Sequence, residues 1–433
     1  MTYAETLTYL YAQLPMFQRI GGAAYKANLD NTWALMAHLG NPHERFRSIH
    51  VAGTNGKGST SHSLAAVLQA AGLKVGLYTS PHLKEFTERI RLNGVEIERE
   101  FVVRFVSENQ DFIEKIKPSF FELTVGMAFA YFAEKAAQNL LDIAIIEVGM
   151  GGRLDSTNVI LPQISVITNI SYDHQAYLGD TLPKIAAEKA GIIKPNVPIV
   201  ISKKQPDCQQ VFIEKAEQQG AAIYFAEDLW DLEVLENGNF SIYDKIEKSY
   251  FLSDFEFELK GNYQRDNILG IITTLKLWEK SNTPIPAQAW REGLSNLTQL
   301  TGLKGRWQKL SDAPLTLTDV GHNQDAFVWI AAQLSEICRK KAIKKQHLVL
   351  GAVNDKDLKM FDILPKNATY YFCKPAVERG LEAEVLRQKM QTYGLQGAAY
   401  PSVLAAWQAA KAAATPEDLI FIGGSSFVVA EVV

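Results

Sequence analysis

The feature that most constrains the fold is a regular alternation of short β-branched runs with longer helical patterns. "RSIHVAG" (47–53) predicts a buried strand, and the residues from Lys57 to Ala71 predict a helix that Gly72 closes. Similar strand patterns recur in "LKVGLYTS", "LLDIAIIEVG", "QISVITNI" and "VPIVIS". Strand, helix and strand in repeated order indicates right-handed βαβ units, so we predict an α/β fold with a mostly parallel sheet flanked by helices.

This pattern changes at two places along the chain. Residues 230–260 alternate polar and apolar around an Asn-Gly turn, which predicts a small antiparallel insertion. The stretch "LTQLTGLKGRWQ" (297–308) breaks the periodicity with two glycines and predicts a domain boundary. After it, strands are predicted near 315–319, 347–352, 369–373, 397–400 and 418–422. We therefore predict a larger domain over 1–298 and a smaller Rossmann-like α/β domain over 299–433.

Composition excludes several classes of protein. The net charge of −4 over 433 residues argues against non-specific nucleic-acid binding, which needs a basic face. The three cysteines lie far apart without a C-x-x-C pair, so we expect neither a zinc site nor a disulfide framework, and a cytoplasmic location. The first residues lack the pattern of an export signal, and no apolar run reaches the length of a membrane span, so no membrane partner is expected.

The segment "HVAGTNGKGSTS" (50–61) lies between the first predicted strand and its helix, where a phosphate-binding loop belongs. It departs from the pattern G-x-x-x-x-G-K-[ST], because Val51 replaces the first glycine and Gly58 follows Lys57 in place of a hydroxyl. A purely structural glycine-rich turn is the alternative. We predict that the loop binds nucleotide phosphates through Gly53, Thr54, Asn55, Gly56, Lys57, Gly58 and Ser59.

Because the hydroxyl after the lysine is missing, Mg²⁺ would need ligands from elsewhere. Glu147 ends an apolar strand at the edge where ligands bind in open α/β sheets. Ser80 ends another strand, and Asp173 and His174 follow a third. A salt-bridged glutamate, an ordinary Ser-Pro turn and a local Asp-His pair are the respective alternatives.

Several motifs together resemble one family. They are "HVAGTNGKGST", "YTSPHL", "IIEVGMGGRLDSTN", "DHQAYLGDTLPKIAAEKAGIIKP", "GNYQRDN" and "DVGHNQDA". In this order they are similar to the folylpolyglutamate synthase/dihydrofolate synthase family, a branch of the Mur ligase group of ATP-dependent amide-forming enzymes. The resemblance runs from about residue 17 to the C-terminus. "GTNGK" marks only the wider group, whereas "GMGGRLDSTN" and "IAAEKAGIIKP" indicate the folate branch.

The resemblance implies an activity and a set of partners. It implies a ligase that adds L-glutamate to the carboxylate of dihydropteroate or a reduced folate through an acyl phosphate, releasing ADP and phosphate. ATP and Mg²⁺ are the implied cofactors, the first domain binds ATP, the second binds glutamate, and a monomer is expected. No motif separates dihydrofolate synthase from folylpolyglutamate synthase activity, and both are expected.

The resemblance also implies roles around the loop. Lys57 contacts the β- and γ-phosphates, and the Mg²⁺ ligands fall on Ser80, Glu147 and His174. Ser80 thus supplies the missing hydroxyl. Lys189 matches a lysine that is carbamylated in relatives; from the residues alone it would be a solvated helix lysine.

Further nucleotide contacts are implied for Asn267, Arg306 and Asp319. From the residues alone, Asn267 is a helix N-terminal amide and Arg306 a surface arginine. The family pattern D-G-A-H-N appears here as "DVGHN", and the departure at Val320 puts the placement of Asp319 in question.

The resemblance implies that four residues contact the substrates. His322 and Ser425 are candidates for the incoming glutamate and the reaction centre, with His322 counted as catalytic beside Lys57 and Lys189. Asp155 and the "TSPHL" loop with His82 are expected to border the pterin-bearing substrate.

Two other functions remain open from the sequence. A Mur ligase of cell-wall synthesis shares the loop but usually carries a further N-terminal substrate domain, for which about fifty residues before the loop leave no room. A P-loop regulatory ATPase would turn over ATP without glutamate. Glutamate dependence of ADP release therefore separates the ligase from the ATPase.

Overall fold

The computed structural model describes residues 1–15, 28–354 and 356–433. Residues 16–27, where the family resemblance begins, lie outside the described residues. Contacts divide the chain into two units, one of Met1–Glu258 and Gln264–Leu303, the other of Leu259–Tyr263 and Lys304–Val433. The short segment Leu259–Tyr263 thus joins the second unit, although the chain on both sides of it belongs to the first.

Eight strands in the described part of the first unit form one sheet, in the order β4-β3-β2-β5-β1-β6-β7-β8. They are β1 (Ser48–Ala52), β2 (Val75–Tyr78), β3 (Ile90–Leu92), β4 (Val95–Glu96), β5 (Ile143–Glu147), β6 (Ile164–Ile167), β7 (Ile199–Ile201) and β8 (Ile223–Phe225). From β2 to β8 in that order neighbouring strands are parallel, whereas β3 and β4 pair antiparallel. The predicted mostly parallel sheet is confirmed.

Helices cover this sheet, and the central strands are buried on both faces. The α-helices in the described residues of this unit are α1 (Tyr3–Gln13), α2 (Asp30–His38), α3 (Lys57–Ala70), α4 (Arg99–Glu108), α5 (Gln110–Ile116), α6 (Phe120–Ala137), α7 (Gln175–Leu178), α8 (Leu182–Ala190), α9 (Pro206–Gln218), α10 (Ala226–Leu229), α11 (Gln264–Glu279), α12 (Ala287–Ser295) and α13 (Leu297–Thr301). Every residue of β1 and β5 is buried, which explains why these strands are continuous apolar runs.

The hairpin of β3 and β4 was not predicted. Asn93 and Gly94 connect the two strands, and both have positive φ angles, 51° and 77°. Two consecutive residues of this kind form the tight turn that Asn-Gly favours in hairpins. The dipeptide was therefore a usable signal, and β4 is only two residues long.

A separate antiparallel sheet follows the parallel one in the chain. Its strands are β9 (Trp230–Val234), β10 (Phe240–Asp244) and β11 (Ser249–Phe255), with β10 in the middle. The antiparallel insertion predicted over 230–260 is confirmed. Among the residues that the structure describes, no helix combines the length and apolar character that a membrane span requires.

The second unit is an α/β domain with a six-stranded sheet in its described residues, in the order β12-β13-β17-β14-β15-β16. Its strands are β12 (Gln308–Asp312), β13 (Leu315–Asp319), β14 (Gln346–Gly351), β15 (Thr369–Cys373), β16 (Gly397–Tyr400) and β17 (Leu419–Gly423). Its helices are α14 (Gln324–Lys340), α15 (Ala383–Thr392), α16 (Val403–Ala413) and α17 (Ser426–Ala430). All neighbours are parallel except β12 and β13, so the Rossmann-like prediction is confirmed, while β12 was missed.

Helix α12 approaches α3 closely at Gly293. A Cβ atom added at Gly293 would lie 2.5 Å from the Cα atom of Val67 in α3. At an exposed helix position a Gly→Ala substitution stabilises the protein by about 1 kcal/mol. A Cβ atom forced against a neighbouring backbone instead destabilises it by about 1–3 kcal/mol. We expect Gly293→Ala to lower the free energy of unfolding in urea, and the exposed substitution Gln288→Ala on the same helix to change it by less than about 0.5 kcal/mol. A more stable Gly293→Ala variant would contradict this close packing.

Candidate active site

The loop between β1 and α3 depends on two glycines. Gly53 and Gly56 have φ angles of 145° and 86°, which disfavour any residue with a Cβ atom. A Cβ atom at Gly53 would lie 1.8 Å from Oγ1 of Thr168, and one at Gly56 would lie 2.3 Å from Oδ1 of Asn267. The conformation of this loop thus requires glycine both for its backbone angles and for its neighbours.

The segment that follows β6 fastens the loop, and sequence reasoning missed this. The backbone N–H of Thr54 donates to the carbonyl of Asn169 (2.8 Å), and that of Asn55 donates to Oδ1 of Asn169 (2.9 Å). The hydroxyl of Thr168 donates to the carbonyl of Asn55 at 2.6 Å. These two amides therefore form hydrogen bonds within the protein. A helix provides no acceptors for the N–H groups of its first turn, so those of α3 are the groups that a phosphate would bind.

Two lysine ammonium groups meet at the carbonyl of Gly53. Lys57 Nζ donates to the carbonyls of Gly53 and Thr54, both at 3.1 Å. Lys189 Nζ, from α8, donates to the carbonyl of Gly53 at 3.0 Å. Lys189 is only 3% exposed, and burial together with the charge of Lys57 lowers its pKa to about 7. Lys189 is therefore not the solvated helix lysine that its sequence context alone suggests.

The N-terminus of α11 also reaches the loop. Asn267 donates from Nδ2 to Oε1 of Gln264 at 2.7 Å, and Gln264 donates from Nε2 to the hydroxyl of Ser59 at 3.0 Å. All three side chains are buried. The structure thus brings Asn267, predicted to contact the nucleotide, next to Gly56 and the first turn of α3.

Two of the three predicted metal ligands lie together. The backbone N–H of Ser80 donates to Oε2 of Glu147 at 3.1 Å, and Glu147 is 4% exposed at the end of β5. His174 has a left-handed backbone (φ 51°), and its Nε2 lies 3.8 Å from Oδ2 of Asp173. The described residues contain no group of three or more His, Cys, Asp or Glu side chains that could hold a metal. The carboxylate of Glu147 and the hydroxyl of Ser80 are both hard oxygen donors, the kind of ligand that Mg²⁺ prefers.

The residues predicted to border the pterin substrate have distinct surroundings. Oδ1 of Asp155 accepts from the backbone N–H of Thr157 (3.0 Å), and Oδ2 accepts from the backbone N–H of Met150 (2.9 Å). Burial raises the pKa of the Asp155 carboxyl. His82 is half-buried, and its Nδ1 accepts from Nε of Arg89 at 2.7 Å. Arg89, a buried cation that sequence reasoning missed, lies 5.2 Å from the centre of the Phe120 ring.

In the second unit, Asp319 is the centre of a buried hydrogen-bond network. Its Oδ2 accepts from the hydroxyl of Tyr263 (2.7 Å) and the N–H of Trp307 (2.8 Å), and its Oδ1 accepts from the N–H of Gly321 (2.8 Å). Burial raises the pKa of Asp319, while Tyr263 and the Arg306 guanidinium oppose that rise. The structure thus brings Arg306 and Asp319 together and adds Tyr263, which the sequence had not indicated.

His322 and Ser425 lie close to the ends of neighbouring strands. Nδ1 of His322 lies 3.0 Å from the carbonyl of Val320, and Ser425 caps α17 by accepting from the N–H of Phe427 at 3.1 Å. The strands pair in register at Asp319 and Gly423. The N–H of Val320, the departure from the family pattern, donates to the carbonyl of Gly305 at 3.0 Å.

Family models match both units. The Mur ligase middle domain matches residues 51–275, and the glutamate ligase domain of Mur ligases matches residues 305–426. The chain belongs to the Mur ligase family, in its folylpolyglutamate synthase/dihydrofolate synthase branch, and is an ATP-dependent ligase.

Individual relatives agree with this assignment. The dihydrofolate synthase/folylpolyglutamate synthase of Bacillus subtilis (strain 168) is 36% identical over 341 residues, 76% of each chain. The enzyme of the same name from Escherichia coli (strain K12) is 32% identical over 393 residues, 88% of this chain and 85% of its own. A Haloferax volcanii protein named "Probable bifunctional folylpolyglutamate synthase/dihydropteroate synthase" is 33% identical, and this chain spans 50% of its length.

Solved structures of two such enzymes are also similar. E. coli FolC in complex with DHPP and ADP has a TM-score of 0.85 and 28% identity, covering 100% of this chain and 97% of its own. The bifunctional enzyme of Yersinia pestis complexed with AMPPNP and Mn ion has a TM-score of 0.84 and 28% identity, with the same coverage.

The hydrogen bond from Thr168 to the loop is testable. Thr168→Val removes the hydroxyl that donates to Asn55, so we expect about tenfold weaker ADP binding in calorimetry and about 1 kcal/mol lower stability. Thr274→Val is the matched control, since that hydroxyl bonds only its own helix, at the carbonyl of Gly270. We expect the Thr274→Val variant to lose a similar amount of stability and to bind ADP as tightly as the wild type. Equal effects of both substitutions on ADP binding would contradict the fastening role of Thr168.

Proposed function

We propose that the chain uses ATP and a divalent metal to join the amine of L-glutamate to a carboxylate of dihydropteroate or a reduced folate. The observation that carries this proposal is the loop at Gly53, where two lysines converge beside the first turn of α3. Similar enzymes solved in complex with ADP, or with AMPPNP, Mn and L-glutamate, support it. We further propose that the chain performs both the first glutamate addition and later ones, as the names of its relatives indicate.

The chemistry begins with the encounter of two anions. The substrate carboxylate attacks the γ-phosphorus of ATP, forming a C–O–P linkage while the bond to the β-phosphate oxygen breaks and ADP leaves. Lys57 and the amides at the start of α3 offset the repulsion and hold the charge that spreads over the phosphoryl oxygens. The glutamate amine then attacks the acyl carbon, loses a proton and displaces phosphate, which completes the amide.

Ser80, Glu147 and His174 would hold the divalent metal. When bound, such a metal neutralises phosphate charge and orients the transferred group. Glu147 fits this role because its buried carboxylate lies beside Ser80 at the carboxyl edge of the sheet. His174 stays a predicted ligand.

The second unit would supply the remaining contacts. We assign Arg306 and Asp319 to the nucleotide, and His322 and Ser425 to the incoming glutamate. The hydrogen bonds around Asp319 support this assignment, because they fix its carboxylate in one orientation. The expectation of a cytoplasmic monomer stays a prediction.

We also propose that Lys189 carries a carbamate. An amine adds to CO₂ only in its neutral form, forming an N–C bond and releasing a proton. The pKa of Lys189, lowered to about 7, gives a substantial neutral fraction near pH 7, unlike an exposed lysine. The anionic product would lie near Lys57, whose positive charge favours it.

The carbamate has a defined pH dependence. At fixed CO₂ pressure its occupancy should rise from pH 6 to pH 8, because the neutral fraction of Lys189 increases through a pKa of about 7. Carbon-13 NMR with labelled CO₂ measures this signal. We expect Lys189→Arg to abolish it and Lys184→Arg, an exposed position on the same helix, to keep it. An unchanged spectrum in Lys189→Arg would exclude a carbamate at this lysine.

The ligase function itself is tested by ADP release. With dihydropteroate or tetrahydrofolate as acceptor, we expect ADP release to require both the acceptor and L-glutamate, and one amide to form per ADP. Lys57→Ala should reduce kcat by at least about 100-fold, since a full charge at the transferred phosphoryl group is lost. Rapid ADP release without glutamate would instead indicate the regulatory ATPase.

A further inference from the structure

His50 is a buried histidine that the proposed chemistry does not use. It lies in the middle of β1, is 0% exposed, and its Nε2 lies 2.9 Å from the hydroxyl oxygen of Thr157. Its Nδ1 has no hydrogen-bond partner among the described residues. Burial and the charge of Lys194 lower the pKa of His50 to about 3, so the ring is neutral at any working pH.

The directions of the hydrogen bonds follow from counting protons. The hydroxyl of Thr157 lies 2.5 Å from Oδ1 of Asp155, and its single proton points to that carboxylate. The Thr157 oxygen is then the acceptor toward His50, which must carry its proton on Nε2. A three-residue relay thus runs from β1 through Thr157 to Asp155.

Asp155 in turn holds the loop that precedes it. Its Oδ2 accepts from the backbone N–H of Met150 at 2.9 Å. A Cβ atom at Gly149 would lie 3.1 Å from the same oxygen, so the carboxylate packs directly on the loop backbone. A rotation of the Asp155 side chain that moved Oδ2 away would therefore break the hydrogen bond of the Met150 amide.

We propose that His50 is a positioning residue, which acts through Thr157 to hold Asp155 and the 149–155 loop in the shape that receives the pterin-bearing substrate. This inference rests on the proposed function, because it takes Asp155 to border that substrate. His50 belongs to the strand that leads into the phosphate loop. The end of β1 thus leads into the nucleotide loop, while the His50 side chain of the same strand supports the 149–155 loop through Thr157.

The central test compares Thr157→Val with Thr157→Ser in the full chain. Valine keeps the shape of threonine without the hydroxyl, and serine keeps the hydroxyl. We expect Thr157→Val to raise the KM for dihydropteroate about tenfold while the KM for ATP changes by less than about twofold. Thr157→Ser should stay within about threefold of the wild type. Equal increases in both KM values, or an equal defect in Thr157→Ser, would overturn the proposal.

A double-variant cycle tests whether His50 acts through Thr157. We expect His50→Leu to raise the KM for dihydropteroate as Thr157→Val does, and the combination to show about the same tenfold increase. Independent, multiplying effects would contradict the relay. His347→Leu is the matched control, since His347 is a buried histidine of the second unit whose Nδ1 lies 2.9 Å from the hydroxyl of Tyr371. It should lower thermal stability without raising the KM for dihydropteroate.

Hydrogen exchange separates failure of the relay from failure of the proposed function. In Thr157→Val the amide proton of Met150 should exchange about tenfold faster than in the wild type, whether or not the chain forms an amide bond. Should the wild type lack ligase activity, the proposed function fails and this exchange rate alone decides the relay. Unchanged exchange at Met150 would overturn it.

Discussion

The hydrogen bonds between the phosphate loop and the segment after β6 are the interactions on which the rest of the site depends. Because β6 neighbours β1, Thr168 and Asn169 lie where they can bond the loop that follows β1. Two backbone N–H groups of the loop are thereby satisfied internally, and Gly53 is held against Thr168. The loop is thereby held at the start of α3, and the N-terminus of a helix is a favourable place for a phosphate to bind.

The candidate site also contains three charged side chains whose burial is energetically unfavourable. Lys189, Glu147 and Asp155 are each 5% exposed or less, and burial alone disfavours a charged group. Hydrogen bonds with the backbone offset the cost of burying each group. Lys189 donates to the carbonyl of Gly53, while Glu147 and Asp155 accept from the N–H groups of Ser80 and Met150. Such buried charges are characteristic of a site that must bind and stabilise other charges, since apolar side chains would pack there at lower cost.

The sequence predicts the layers of this fold better than the contacts at its edges. Alternating strands and helices specify the parallel sheet, but β3, β4 and β12 are short or irregular and carry little periodicity. Glycine and lysine at 56 and 57 identify the phosphate loop, whereas Thr168 matters only once β6 is known to neighbour β1. Pairing between strands distant in sequence cannot be read from local patterns. Lys189 was predicted by resemblance alone, because its burial depends on where α8 packs.

The departure of the loop from the common pattern has a physical explanation in this structure. Gly58 leaves no hydroxyl directly after Lys57, and the next hydroxyl, on Ser59, accepts a hydrogen bond from Gln264 and is 1% exposed. The Ser59 side chain is thus committed to packing α11 against the loop helix. In the proposed function the metal takes its hydroxyl ligand from another strand end instead, from Ser80, whose backbone N–H donates to Glu147. The glycine after Lys57, at which this loop departs from common phosphate loops, is thus the reason why we propose a metal ligand on a second strand end.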